Sequence, residues 1–220
     1  MTTPELQVWT SEFGRAYTDR NTLSVEDMDQ AFAAQFGVAK TVIYRELVGA
    51  ARLPAGRVLE VGCNIGLQLR LLERVNPGLE FHGLEPQPYA VKQARELSPN
   101  MTFHDGTAFA LPFEDRSFDL VMTHGVLIHI NPKDLPRALA EIHRVSRRFV
   151  LCHEYYAERP TEIRYHDRDG LLWKRNFGQA YLDQFADLRA VAVKLYAYAP
   201  EYGGPGLVDQ VMLLEREGAR

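Results

Sequence analysis

The sequence predicts an α/β fold, a mostly parallel seven-stranded sheet with helices on both faces and a C-terminal antiparallel hairpin. Three observations predict it. From Arg57 onward, short apolar runs rich in β-branched residues alternate with stretches of helical period, the pattern of parallel strands joined by crossover helices. The first such run is followed at once by a glycine turn, Gly62-Cys63-Asn64-Ile65-Gly66, and then by a helical pattern. Finally, 46% hydrophobic and 25% charged residues in a chain of 220 are the proportions of an ordinary globular domain. A domain of that size buries roughly 70% of the surface its unfolded chain would expose, so it needs neither disulfides nor a structural metal.

Val58–Val61 reads as the first strand, and Leu67–Leu72 as a helix whose apolar spacing suits packing on a sheet. Asn76-Pro77-Gly78 breaks that helix. Leu79–Leu84 is a second strand, ended by Glu85-Pro86, and a helix follows over Tyr89–Leu97. Met101–His104 is a short third strand and Phe118–Thr123 a fourth, with Leu111–Asp115 as a loop between them. Asn131-Pro132 precedes a helix over Lys133–Val145, and Phe149–His153 is the fifth strand. Residues 155–178, with Tyr155, Tyr156, Tyr165, Trp173 and Phe177 among mixed charges, read as an insertion over the sheet. A helix at Gln179–Phe185, an apolar run at Ala190–Tyr198, a turn at Tyr202–Gly206 and a strand at Gln210–Leu214 close the chain. Upstream, Ser24-Val25-Glu26-Asp27 has the form of a capping box opening a helix that carries Met28, Phe32 and Phe36, and Thr41–Ala51 is a second helix. The expected organisation is one domain: an N-terminal helical cap (1–53) able to lid the site, a ligand-binding core (57–154), the insertion (155–178), and a C-terminal helix and strands (179–220).

The charge balance, 25 Lys and Arg against 29 Asp and Glu for a formal net charge of −4, exerts no general pull on nucleic acid or anionic lipid. The basic cluster Arg144, Arg147 and Arg148 is expected at a helix end, complementing its dipole. No apolar run approaches the roughly 18 residues of a membrane span. Cys63 and Cys152 form no CxxC pair, no metal-ligand cluster is visible, and the first residues lack a secretion pattern, so a reducing cytoplasm is the expected compartment. The partner these features imply is a small molecule; the sequence sets no oligomeric state.

In an open parallel sheet, ligands bind beyond the carboxyl ends of the strands, so the residues after each strand are the ones to read. Glu60, Gly62, Cys63, Asn64 and Gly66 end the first strand, where glycines let backbone approach a ligand. Glu85, followed by Pro86, ends the second and is suited to accept hydrogen bonds from the vicinal hydroxyls of a ribose. Asp105, followed by Gly106 and Thr107, ends the third; its carboxylate can accept from an adenine amine while a neighbouring backbone N–H meets a ring nitrogen. Together these describe an adenosine. A dinucleotide would want G-x-G-x-x-G, but Asn64 takes the middle glycine position and Leu67 the third, so an adenosine without phosphates is preferred.

On these residues, and on Asp105-Gly106-Thr107-Ala108 with Leu111-Pro112-Phe113-Glu114-Asp115-Arg116-Ser117-Phe118-Asp119-Leu120-Val121 and Val126-Leu127-Ile128-His129-Ile130, the chain resembles the class I S-adenosylmethionine-dependent methyltransferases over Arg57 to about Glu154. The resemblance implies a Rossmann-like methyltransferase fold, S-adenosyl-L-methionine as cofactor and S-adenosyl-L-homocysteine as product, with Thr123 and His124 at the end of the fourth strand added to the cofactor wall. Trp9-x-x-x-Phe13-Gly14-x-x-Tyr17-Thr18-x-Arg20-Asn21 and Leu172–Phe177 are similar to the pseudaminic acid biosynthesis-associated methylases. That likeness implies a sugar-related or other small polar acceptor, and a Tyr17 and Arg20 that come over the cofactor to engage its carboxylate. The chain departs from that pattern at Asn176, where an aspartate is usual.

Methyl transfer by in-line displacement onto an acceptor hydroxyl would call for a base, and His129 and His153 are the candidates, since an unshifted imidazole suits that work. Tyr155, Tyr165, Lys174 and Arg175 of the insertion are the expected acceptor-binding residues. The rival readings are a nicotinamide-dependent oxidoreductase or epimerase, a tRNA or protein methyltransferase, and a scaffold without catalysis. The first is disfavoured by Asn64, Leu67 and the absence of a Tyr-x-x-x-Lys dyad after the fourth strand, the second by the negative charge.

Overall fold

Apolar residues placed alternately on the two faces of each central strand require a helical layer on both sides of the sheet. The computed structural model, which describes residues 2–202 and 206–218, has that architecture. The sheet is built from β1 (Gly56–Val61), β2 (Leu79–Glu85), β3 (Thr102–Asp105), β4 (Phe118–His124) and β5 (Ser146–Tyr155). A ribbon of β6 (Thr161–Glu162) and β7 (Trp173–Lys174) stands apart, and β8 (Leu188–Ala197) and β9 (Val208–Arg216) complete the sheet. Its order is β3-β2-β1-β4-β5-β9-β8. The first five strands run parallel, and β9 is antiparallel to both β5 and β8.

Val58, Leu120, Met122, Phe149 and Leu151 point to one face, where they meet Ile43, Tyr44 and Leu47 of α4 (Lys40–Ala51) and Leu69 and Leu72 of α5 (Leu67–Val75). Leu59, Val61, Val121, Val150 and Cys152 point to the other, under Leu139 and Ile142 of α7 (Leu135–Val145) and Tyr181 of α8 (Phe177–Gln184). α6 (Pro88–Leu97) connects β2 to β3. Glu60 shares its face with Val58, so its side chain is directed toward the N-terminal helices.

Those helices are four. α3 (Val25–Phe36) opens on the capping box expected at Ser24 and Asp27, and α4 covers the second predicted helix. Two more precede them, α1 (Pro4–Trp9), capped by Thr3, and α2 (Glu12–Arg20), capped by Ser11. Element ends differ from the sequence reading by one to three residues. The differences that matter are that Glu85 and Asp105 are the last residues of their strands and not the first beyond them. The insertion contains the β6–β7 ribbon, too short for strand periodicity to reveal. Gly203, Gly204 and Pro205 of the predicted turn lie outside the described residues.

Only Arg144 of the basic cluster is at a helix end; Arg147 and Arg148 lie on β5, and all three are bound to carboxylates, Arg147 to Asp119 and Arg148 to Glu215. Arg144 reaches Glu141 and Asp115 and donates to the carbonyls of Leu111 and Phe113, so one guanidinium fixes the β3–β4 loop. Replacing Arg144 by Met leaves both carbonyls without that donor and should cost about 2 kcal/mol, read by denaturant titration. Hydrogen exchange should rise first at residues 111–116; unchanged exchange there would contradict this role.

Candidate functional site

The tips of β1, β2 and β4, the segment after β3, and helices α1 and α2 enclose a cavity of about 290 Å³. After β1 the backbone turns sharply: Gly62 N and Cys63 N both donate to Leu84 O, at 2.7 and 3.1 Å, and Gly66 N donates to Cys63 O. Asn64 and Gly66 take left-handed φ of 48° and 73°, the second opening α5. Asparagine and glycine are the residues that reach this region at least cost. A Cβ on Gly66 would also lie 2.8 Å from the Phe103 ring.

Glu85 stands at the centre of the wall. Its Oε2 accepts from Asn64 N and its Oε1 from Gln87 N, each at 3.0 Å. Burial pushes its carboxyl up to about 7 against those two bonds. A carboxylate has about four acceptor positions; the two left open here match the two donors of a vicinal diol. Glu60 is 2% exposed and its Oε2 has no hydrogen-bond partner. Burial, then the neighbouring Glu85, hold its carboxyl well above the ordinary range. α2 is tied down by Thr18, whose hydroxyl donates to Asn64 Oδ1 at 3.0 Å, and by Gln87, whose Nε2 donates to the Trp9 and Ser11 carbonyls.

Of the residues read from the sequence, Tyr17, Glu60, Gly62, Cys63, Asn64, Glu85, Pro86, Thr107, His124 and His129 line the cavity. Burial raises the Tyr17 phenol above its usual range. Gly66, Gly106 and Thr123 do not line the cavity. Arg20 is exposed and does not line the cavity. Asp105 is exposed too, and its Oδ2 accepts from Arg95 at 3.1 Å.

The two histidines differ. His129 donates from Nδ1 to Leu171 O at 2.7 Å, which leaves Nε2 unprotonated, and burial lowers its imidazolium to about 4. Its ring lies against Trp9 at 4.4 Å and Tyr165 at 5.3 Å. His153 is 2% exposed and does not line the cavity: Lys40 Nζ lies 2.5 Å from its Nδ1, and its Nε2 lies 3.1 Å from Asp209. Burial, then the nearby Lys40, hold its imidazolium well below 6.5, so the unshifted base expected from the sequence is not what the structure places there. His124 stands edge-on to His153 at 4.5 Å.

None of the four insertion residues lines the cavity. Tyr165 reaches it through His129, and Lys174 lies over the Tyr155 ring at 5.5 Å. Arg175 has a buried Nε without a partner. Sequence reasoning missed Glu5, Gln68, Gln87 and Phe109 of the wall, and Lys40 beneath it. Lys40 is wholly buried, over the Phe32 ring at 4.3 Å, at the first turn of α4. A lysine there reads as a surface charge, and only tertiary packing makes it otherwise. Among the described residues, no His, Cys, Asp and Glu group could hold a metal ion, and no helix is long and apolar enough to cross a membrane.

Gly14 decides how closely α1 and α2 pack, since a Cβ there would lie 1.7 Å from the Trp9 carbonyl oxygen. Gly14→Ala must push α1 off the cavity, an overpacking cost that should weaken ligand binding about tenfold. Limited proteolysis should then cut within residues 2–10 faster than in the parent; equal rates would contradict the lid.

Comparisons agree with this geometry. Residues 58–148 match the methyltransferase domain family. Over 107 residues, 48% of its length, the chain is 35% identical to the phthiotriol/phenolphthiotriol dimycocerosates methyltransferase of Mycobacterium leprae, covering 39% of that protein. Over 104 residues, 47% of its length, it is 33% identical to the demethylmenaquinone methyltransferase of Chlorobaculum parvum, covering 41%. The chain thus spans about two-fifths of the length of the curated relatives it matches. Burkholderia thailandensis 1,6-didemethyltoxoflavin-N1-methyltransferase, solved with 1,6-didemethyltoxoflavin and S-adenosylhomocysteine, shares the fold at a TM-score of 0.68 and 18% identity, over 98% of this chain and 91% of that one. Trp9–Asn21 and Leu172–Phe177, which suggest a narrower family, fall outside the domain match. With the sheet order, the strand-tip carboxylates and the domain match in agreement, the chain has a Rossmann-like methyltransferase fold in which residues 58–148 match the methyltransferase domain family.

Proposed function

We propose that the chain binds S-adenosylmethionine in the enclosed cavity and transfers its methyl group to a hydroxyl of a small polar acceptor. The observation that carries the reading is the Glu85 carboxylate, braced by two backbone N–H groups and open toward the cavity at its remaining acceptor positions. Glu60, with a buried oxygen lacking any partner in the protein, would take the ammonium of the cofactor's amino-acid end, and Glu85 its ribose. When bound, the cofactor supplies a methyl group on a sulfonium sulfur, an electrophile that needs no covalent help from the protein.

The chain's own share is positioning and desolvation. Helices α1 and α2 close the cavity and exclude water, and holding two reactants in line at contact distance is worth up to roughly 7 to 11 kcal/mol in intramolecular systems. His129 is fixed in one tautomer by Leu171 and keeps a lone pair on Nε2, which suits it to take an acceptor proton. Tyr165 against His129, and Lys174 over Tyr155, give the acceptor side hydroxyls and a cation appropriate to a polar molecule such as a sugar derivative. Two of the relatives are named as methyltransferases of phthiotriol/phenolphthiotriol dimycocerosates and of demethylmenaquinone, two unlike acceptors, so the acceptor reading rests on this chain's residues and on its likeness to the pseudaminic acid-associated methylases.

A nicotinamide dinucleotide fits less well. The loop N–H groups of Gly62, Cys63, Asn64 and Gly66 are all bonded within the protein, so these four offer no donor to a pyrophosphate. Incubation with methyl-labelled S-adenosylmethionine and separate pools of hydroxylated sugars, quinols and tRNA tests the reading. Label in the sugar pool, in an alkali-stable ether, is expected; label in tRNA or quinol alone would overturn the acceptor assignment.

A further inference from the structure

We infer that Glu5, on the first helix, is the residue that reads the purine of the nucleoside ligand, in place of Asp105 at the tip of β3. The inference rests on the adenosine cofactor proposed above and assigns the one part of it that the strand tips leave without a buried acceptor.

Asp105 is badly placed for that work. It is exposed, it is absent from the cavity wall, and its carboxylate is engaged by Arg95. A hydrogen bond made in water discriminates little, because water replaces it in any complex that lacks it. Glu5 has the opposite character. It is 7% exposed, it lines the cavity, and one carboxylate oxygen, Oε1, accepts from Asn131 Nδ2 at 3.1 Å. The other, Oε2, is buried with no partner in the protein. An orphaned buried acceptor on a residue of the cavity wall is costly unless a ligand supplies the donor.

Position selects which donor. The ligand must run across the strand tips, with Glu60 on β1 and Glu85 on β2 taking its amino-acid and ribose parts, so its base lies toward the segment after β3. That segment contributes Thr107, Ala108 and Phe109 to the cavity wall. Glu5 stands at the same end. Its partner Asn131 comes just before α7, and Arg137 of α7 donates to Phe109 O at 3.1 Å. At the other end of α1, the Trp9 carbonyl is held by Gln87 beside the β2 tip, so α1 lies along the cavity from ribose to base. Trp9 also lines the cavity, and its Nε1 is a second buried group without a partner. An acceptor at Glu5 and a donor at Trp9 are the complement of an adenine edge, whose exocyclic amine donates and whose ring nitrogens accept. On this assignment α1 recognises the ligand as well as covering it.

The test is calorimetric binding of S-adenosylhomocysteine against S-inosylhomocysteine, in which a carbonyl oxygen replaces the exocyclic amine. A carboxylate facing that oxygen loses a bond and gains a repulsion, so the parent chain should prefer the adenine form by about ten- to a hundredfold. Glu5→Gln is nearly isosteric, can keep the Asn131 contact, and can turn its amide to donate to the carbonyl. It should bring the ratio to unity or invert it, with an unchanged melting temperature. Asp105→Asn should leave the parent ratio as it is. A Glu5→Gln ratio equal to the parent's, or a collapse in Asp105→Asn alone, overturns the assignment while leaving the cofactor reading intact. Failure of the parent to bind either nucleoside overturns the cofactor reading itself, and this assignment with it.

Discussion

Replacing Glu85 by Ala should abolish useful binding of S-adenosylhomocysteine while leaving a folded protein. Each hydroxyl-to-carboxylate bond contributes about 1.5 to 3 kcal/mol, so losing two weakens the complex by about a hundredfold to ten-thousandfold. The change also frees Asn64 N and Gln87 N, but both lie at the cavity wall, where water can meet them. The melting temperature without ligand should therefore move by only a few degrees, and the stabilisation that ligand confers on the parent should vanish. Binding by the variant within a few-fold of the parent would show that Glu85 is a structural acid bracing the turn and nothing more.

His129→Gln should lower kcat by about a hundred- to a thousandfold while leaving the KM for S-adenosylmethionine in place, because a positioned base contributes in that range. The pH dependence separates this from a packing effect. Burial holds the imidazolium at about 4, so the neutral ring that can accept a proton persists above that value and the free enzyme's kcat/KM should show no fall near 6.5 from this group. Stability moves with the same titration. The unfolded chain takes up a proton at His129 below about 6.5 and the folded chain only below about 4, so its contribution to stability is present above 6.5 and is lost as pH falls toward 4. His129→Gln should flatten the decline of melting temperature across that window. Full turnover in the variant would remove His129 from the chemistry and leave positioning as the whole of the protein's contribution.

The strand tips were the most legible part of the molecule. β1, β4 and β5 are buried on both faces and so read as short continuous runs such as Phe118–Thr123, and a glycine turn between a strand and a helix has few structural meanings. Glu85 could be found because its place in the chain is fixed by the strand that ends there. The carboxylates and histidines whose roles depend on who packs against them could not. Asp105 is the last residue of its strand, yet its carboxylate is exposed and engaged by Arg95, ten residues upstream on α6. His153 lies two residues before the end of β5, but Lys40, far off in sequence, meets one ring nitrogen and Asp209 the other. Glu5 and Trp9 sit on a six-residue helix, too short for periodicity to single out, and their importance comes from the cavity they close. What the sequence conceals are contacts between elements distant along the chain, made where the N-terminal helices meet the sheet.

Calorimetric titration of the whole chain with S-adenosylmethionine and S-adenosylhomocysteine, beside NAD⁺ and NADH, bears most directly on the nucleoside site at the tips of β1 and β2. Saturable one-to-one binding of both sulfur nucleosides, with no heat from either dinucleotide, is the predicted result. Binding of a dinucleotide with silence from the sulfur nucleosides would contradict it.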